Sequence, residues 1–175
     1  MLKIAILAEG FAPNLEWYLD VIINLLGNSG NYITDDIWWR CCQVVTGFGD
    51  NVNQSLRNYS VGTIMHALGA YNCSENLIKM ATYILPEYGL NEGLVSPKRM
   101  YQALNRKFLI VSMETKCMIL DAYFKIAGHI LLSQQKNNQD EEVLNNIFTE
   151  LQMNQDHIDL ELQKRAYEYL AVLET

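Results

Sequence analysis

Apolar residues recur along this chain with the period of an α-helix almost from end to end. After Pro13, the positions Leu15, Leu19, Ile22 and Leu26 form one stripe, stopped by Gly27 to Gly30. Thr34 is placed to cap a second helix, with Asp35 and Asp36 in the first turn, where the helix dipole favours anions. Its stripe is Ile37, Cys41, Val44 or Val45, and Phe48, closed by Gly47 and Gly49. A looser stretch at Asn51 to Asn53 leads into a third helix on Leu56, Val61, Met65 and Leu68. Ser74 opens a fourth on Leu77, Met80, Ile84 and Tyr88, with Pro86 placed to kink or close its last turn.

Ser96-Pro97 joins a capping hydroxyl to proline at the first helical position, a strong start signal. Ser112 opens the longest run, in which Met113, Cys117, Leu120, Phe124, Ala127 and Leu131 hold one face over about five turns. The polar stretch Gln134 to Gln139 breaks it. Asp140 is expected to cap a short helix with Val143, Ile147, Phe148 and Leu151, and Asp156 or Asp159 to begin the last, with Leu162, Ala166, Tyr169 and Leu173. At the N-terminus, Ile4 to Ala8 is too short an apolar segment for a signal peptide, and Glu9 ends it without a cleavage site. It reads instead as the last turns of a helix belonging to a longer protein.

The pattern predicts an all-α chain of eight or nine helices joined by short turns, with no strand. Trp17, Tyr18, Val21 and Ile23 make the helix after Pro13 apolar on a second side. Such a helix needs neighbours on two sides, and stacked antiparallel pairs supply them, as in HEAT and armadillo α-solenoids. A rough spacing of about 40 residues per pair agrees with those units. Residues 1–175 are accordingly expected to form one α-solenoid segment, a closed bundle being the alternative packing.

Composition narrows the class of function. Half the residues are hydrophobic and 19% charged, with three prolines and ten glycines, a mix suited to long packed helices. The net charge is −7, nearly all of it from Lys136 onward, where nine acids meet three bases. That balance excludes whole-domain binding of nucleic acid or anionic lipid. It leaves room for a local patch: Lys98, Arg99, Arg106 and Lys107 put four cations within ten residues. They read either as a solvated helix face or as a contact for anionic headgroups or an acidic neighbouring subunit, at about 1 kcal/mol per charge near a membrane. No apolar run approaches the length of a membrane span.

Candidate chemistry is sparse. Cys41, Cys42, Cys73 and Cys117 have no metal-ligand spacing, and Cys41 and Cys117 fall on apolar stripes, as buried reduced thiols of a cytosolic protein do. Cys117 and His129 lie twelve residues apart on one predicted helix, about 18 Å, too far for a nucleophile and its base. His66 and His157 have no partners in the pattern. Asp35-Asp36 and Glu141-Glu142 are neighbours at helix starts and do not face each other. Trp17 and Tyr18 with Trp38 and Trp39 read as core rather than as a stacking platform. No glycine-rich phosphate loop is present. The expectation is a non-enzyme without cofactor or metal.

Three blocks carry a resemblance. The first is Leu2-Lys3-Ile4-Ala5-Ile6-Leu7-Ala8-Glu9 followed by Trp17-Tyr18-Leu19-Asp20. The second is Asn76-Leu77-Ile78-Lys79 continuing to Tyr83-Ile84-Leu85-Pro86-Glu87-Tyr88-Gly89, and the third runs from Glu161 to Leu170. In this order and spacing they resemble the helical trunk of the adaptins, the large subunits of clathrin adaptors, and the second block with Leu170 resembles the alpha class more than the gamma class. Pro86 departs from the glycine usual there, and the loop Leu90 to Ser96 is shorter. The third block also reads physically: Glu161 and Arg165 are an i,i+4 pair with the acid N-terminal, and Glu168 is one turn on, a clasp stabilising by about 0.3–0.5 kcal/mol if exposed.

The resemblance implies the C-terminal part of a trunk that scaffolds coats in endocytosis. Its partners would be the beta-type large, medium and small adaptor chains, with clathrin reached indirectly. The protein would sit peripherally on the cytosolic face of the plasma membrane and bind no nucleic acid. The rival readings are a gamma-adaptin or other coat trunk at the Golgi and endosomes, and an unrelated HEAT-type scaffold.

Overall fold

The computed structural model describes residues 2–28, 33–47, 53–70, 73–90, 93–133 and 137–174. Among them the helices run α1 (Leu2–Phe11), α2 (Leu15–Asn28), α3 (Asp35–Thr46), α4 (Gln54–Leu68), α5 (Glu75–Ile84), α6 (Pro97–Phe108), α7 (Met113–Leu132), α8 (Asn138–Met153) and α9 (Leu160–Leu173). A π-helical turn, Leu85–Gly89, extends α5, and the described residues contain no strand. The expectations for Gly30, Phe48, Gly49, Asn51 and Gln134 to Lys136 fall outside the described residues.

Short polar side chains set the helix starts. Ser74, Ser96 and Ser112 accept from the backbone N–H of Leu77, Arg99 and Thr115, each at 3.4 Å. Thr34 stands at the cap position of α3, but its side chain makes no capping bond. The cap of α8 is Asn137 and not Asp140: Asn137 accepts from the Asp140 N–H at 2.9 Å while Asp140 accepts from the Asn137 N–H at 3.3 Å. This reciprocal box satisfies two orphan donors where Asp140 as cap would satisfy one, so the helix starts earlier than the apolar pattern indicates. Asp159 caps α9, accepting from Glu161 and Leu162 N–H groups at 3.1 Å. Pro86 neither ends nor breaks its helix. Lacking an N–H for the carbonyl one turn back, it sits where the ladder widens into the π turn.

The chain divides into two compact units, Met1–Leu94 and Val95–Thr175. In the first, α2 packs on α3 and α4, α3 on α4 and α5, and α4 on α5. In the second, α6 packs on α7 and α8, α7 on α8 and α9, and α8 on α9. Within each unit, from α2 to α5 and from α6 to α9, each helix thus touches its successor and, where the unit contains one, the helix after that, the contact rule of stacked helix pairs. Polar bonds between a helix and the second one after it repeat the rule at a nearly fixed sequence interval. Asp35–Lys79, Lys98–Glu142 and Asp121–Arg165 are each separated by 44 residues, and Tyr59–Asp20 by 39. This is the expected repeat of about 40 residues, present in three dimensions without a repeat in the letters.

Helices with two neighbours are apolar on two sides. α5 is buried without interruption from Asn76 to Thr82. In α7, Ile119, Leu120, Ala122, Tyr123, Ile126 and Ala127 are all fully buried. Tyr123 centres this unit, its ring 5.1 Å from Tyr101 and 6.2 Å from Phe108, and its hydroxyl donates to Asn105 Oδ1 at 3.1 Å. Burying a side chain of this kind stabilises by roughly 1.5–3 kcal/mol. Several stripe positions differ from expectation because neighbours on two sides rotate the buried sector. Ile64 replaces Met65 in the α4 core, and Leu15, Met113 and Leu131 lie outward. Trp38 and Tyr18 are buried, but Trp17 and Trp39 are about half exposed, so the aromatic group is only partly core.

Candidate interaction surfaces

Lys98 and Arg99 occupy the first turn of α6, and Arg106 and Lys107 its last. Lys98 Nζ donates to Glu142 Oε2 at 2.6 Å across to α8, and Lys107 is buried. Only Arg99 and Arg106 stand exposed. They are seven residues apart and share a face, about 10 Å along the axis. The structure therefore does not gather four cations for a partner, as counting charges in a ten-residue window suggests. Helical phase buries Lys107 and turns Lys98 toward Glu142 on α8.

Arg165 is the hub of α9. Its Nε donates to Glu161 Oε1 at 2.8 Å, and its Nη1 to both oxygens of Asp121 on α7, at 2.7 and 2.5 Å. The Tyr169 hydroxyl also donates to Asp121, while its ring stacks on Phe124 at 4.6 Å. Burial works against the Arg165 charge, but the bonds to Asp121 and Glu161 outweigh it and hold its pKa above the ordinary value. Burial first, then the bond to Asp121, pushes the Tyr169 hydroxyl up. Glu168 is not part of this group; it faces Lys164 at 3.7 Å. The guanidinium turns inward to Asp121 because that pair is half-buried, where a charge-assisted fork is worth more than a second exposed contact. Asp121, Tyr169 and Phe124 carry this junction without a signal in the linear pattern beyond Arg165 and Tyr169 lying at i,i+4.

The first unit has its own cross-helix ties. Arg57 Nη2 donates to the Thr46 carbonyl at 2.7 Å, and its guanidinium lies 4.5 Å over the Tyr88 ring. It thereby caps the negative C-terminal end of α3, favourable for a cation. Buried Lys79 donates to Asp35 at 3.2 and 3.3 Å, and the Trp38 indole donates to the same carboxylate at 2.9 Å. Asn76 Nδ2 donates to the Ile33 carbonyl at 2.7 Å. Asp35, half of one adjacent-acid pair, is thus structural, and Glu142 of the other is tied to Lys98.

Burial pushes the Cys42 thiol up to about 12 and raises Cys41 well above its ordinary value, and burial also raises Cys117, so these thiols stay protonated and unreactive at neutral pH. Cys117 and His129 lie three turns apart on α7. Among the described residues no group of His, Cys, Asp and Glu could hold a metal ion, and no helix is long and apolar enough to cross a membrane. What the molecule offers is helix faces and shallow grooves between them. One of about 460 Å³ lies between α7 and α9, and another of about 490 Å³ between α2 and α4.

Paired helices tied at a repeating interval define a helical-repeat protein, an architecture that presents extended surfaces. The chain belongs to the adaptin family: the adaptin N terminal region matches it over residues 1–175. It is 36% identical over 173 residues to AP-2 complex subunit alpha-2 of Dictyostelium discoideum, covering 97% of this chain and 16% of that protein. AP-2 complex subunit alpha-1 of Arabidopsis thaliana is 33% identical over 171 residues, 96% of this chain and 16% of that protein. AP-2 complex subunit alpha of Saccharomyces cerevisiae is 28% identical over 175 residues, with 98% and 16% covered. The chain spans about one sixth of the length of these relatives.

Proposed function

We propose that this chain is a scaffold segment of a clathrin-adaptor large subunit of the alpha class, acting in endocytosis by binding other adaptor subunits. The observation that carries the reading is the likeness, over almost the whole chain, to AP-2 alpha subunits of amoeba, plant and yeast. In this reading residues 1–175 form one α-solenoid segment in the C-terminal part of the trunk. Its helix faces meet the beta-type large, medium and small chains, and clathrin is engaged indirectly through the assembled complex. The protein works on the cytosolic face of the plasma membrane without a catalytic step or cofactor.

The mechanism is non-covalent. Side chains such as Arg165 and Lys79 fix each helix to the second one after it, so the array is stiff within a repeat and changes shape by small shifts between repeats. Arg99 and Arg106 add a two-charge face on α6 for anionic headgroups or an acidic subunit, the exposed remainder of the basic cluster. Imaging of the tagged protein that contains this segment separates the alpha reading from the gamma one. Puncta at the plasma membrane that coincide with clathrin support it, and confinement to the Golgi and endosomes contradicts it.

A further inference from the structure

Burial at the end of α5 repeats after five residues rather than four. Tyr83 is half-buried, and Ile84 and Leu85 are fully buried; Tyr88 is half-buried, and Gly89 and Leu90 are buried. In an α-helix the residue at i+4 stands above residue i. That register would drive the Tyr88 ring into the core above Ile84. A π turn bonds i to i+5. It stands Tyr88 above Tyr83 instead, whose ring meets the half-exposed Trp39 at 6.1 Å, and it puts the side-chain-free Gly89 above Ile84.

The change of register falls at Pro86. The Leu85 N–H still bonds to the Ala81 carbonyl in the α pattern. The next residue has no N–H for the Thr82 carbonyl, and its ring would clash with that carbonyl in the α register. The register in turn decides what Arg57 meets. Its guanidinium lies 4.5 Å over the Tyr88 ring, a favourable seat for a cation. The same guanidinium donates to the Thr46 and Val45 carbonyls at 2.7 and 3.4 Å. One side chain on α4 thus holds the end of α3 and the π turn together.

We propose that Pro86 is a register lock: it holds the end of α5 in the five-residue register, which sets Tyr88 beneath Arg57 and closes a clamp on the end of α3. Restoring an N–H at position 86 lets the turn bond to Thr82 in the α register. Tyr88 then leaves Arg57, and the end of α3 loosens. The lock acts wholly within the first unit and does not depend on membership of a clathrin coat.

The test is NMR of the full chain. The Arg57 side-chain protons are expected upfield of their ordinary positions, because they lie over the Tyr88 ring, and Tyr88→Leu should abolish that shift. Pro86→Ala should abolish it too, although Tyr88 is still present, and Pro86→Gly should do the same. The Gly47 amide, bonded to the Gln43 carbonyl at the end of α3, should exchange several-fold faster in Tyr88→Leu and in Pro86→Ala. All three variants should keep their circular dichroism, since the lock governs only one turn. An upfield shift that survives in Pro86→Ala or Pro86→Gly would overturn the proposal. So would unchanged Gly47 exchange, or loss of the fold in both Pro86 variants.

Discussion

Arg165 on α9 forks onto both carboxylate oxygens of Asp121 on α7, 44 residues earlier, at 2.7 and 2.5 Å. The tie joins a helix to the second one after it, as Lys98–Glu142 and Lys79–Asp35 do at the same interval. A double-mutant cycle with Asp121→Asn and Arg165→Met, followed by urea unfolding, is expected to give a coupling of about 1–2 kcal/mol, because the pair is half-buried and charge-assisted. The exposed Lys164–Glu168 pair, at 3.7 Å, should couple by less than about 0.5 kcal/mol. Equal couplings would mean that Asp121 does not anchor α9.

Asp35 supplies a pH signature. The bond from Trp38 lowers its pKa, burial partly opposes, and Lys79 lowers it further. A carboxylate whose folded pKa is depressed stabilises above its unfolded pKa, near ~3.9, and that contribution disappears as pH falls through the lower folded value. Asp35→Asn should therefore cost about 1 kcal/mol at pH 7, with the deficit shrinking toward zero on acidification below pH ~4. Urea denaturation at pH 7 and pH 3 measures both; a deficit constant across that range would exclude the ion pair as its source.

Tyr123 separates packing from hydrogen bonding in the second unit. Tyr123→Phe keeps the ring contacts with Tyr101 and Phe108 and loses only the bond to Asn105, an expected cost of about 1 kcal/mol. Tyr123→Ala leaves a cavity at a fully buried site and should cost about 3–5 kcal/mol. Thermal melts of the two variants should differ accordingly, and similar melting would show that the ring is not the keystone of α7.

The exposed arginines of α6 are distinguishable from their buried neighbour. Arg99→Glu with Arg106→Glu should leave the fold intact and weaken sedimentation with anionic vesicles about tenfold or more at low salt. Lys107→Glu, at a buried site, should instead lower the melting temperature. Unchanged vesicle binding in the double variant would assign Arg99 and Arg106 to a merely solvated face.

Helix number and helix type were legible in the sequence because a 3.6-residue period and serine caps are local signals, and the family through three blocks of residues that resemble it. Ser96-Pro97 and Ser112 start α6 and α7 where the letters place them. The core was less legible wherever two neighbours compete for one helix. Ile64 takes the place of Met65, and Trp39 turns outward, because the buried sector is set by helices 40 residues away. The cross-helix ties were hidden for the same reason: nothing near Asp121 announces Arg165, and nothing near Lys98 announces Glu142. The basic cluster divides between exposed and engaged side chains because charge density along a chain does not contain the phase that buries Lys107 and pairs Lys98.

The central claim, that this chain is an assembly segment of an adaptor large subunit, is met most directly by affinity purification of the tagged protein from its own cells, with the bound chains identified by mass spectrometry. Recovery of beta-type, medium and small adaptor chains in near-equal amounts is the predicted result. Recovery of this protein without any adaptor chain, or with nuclear-transport cargo in their place, would contradict it.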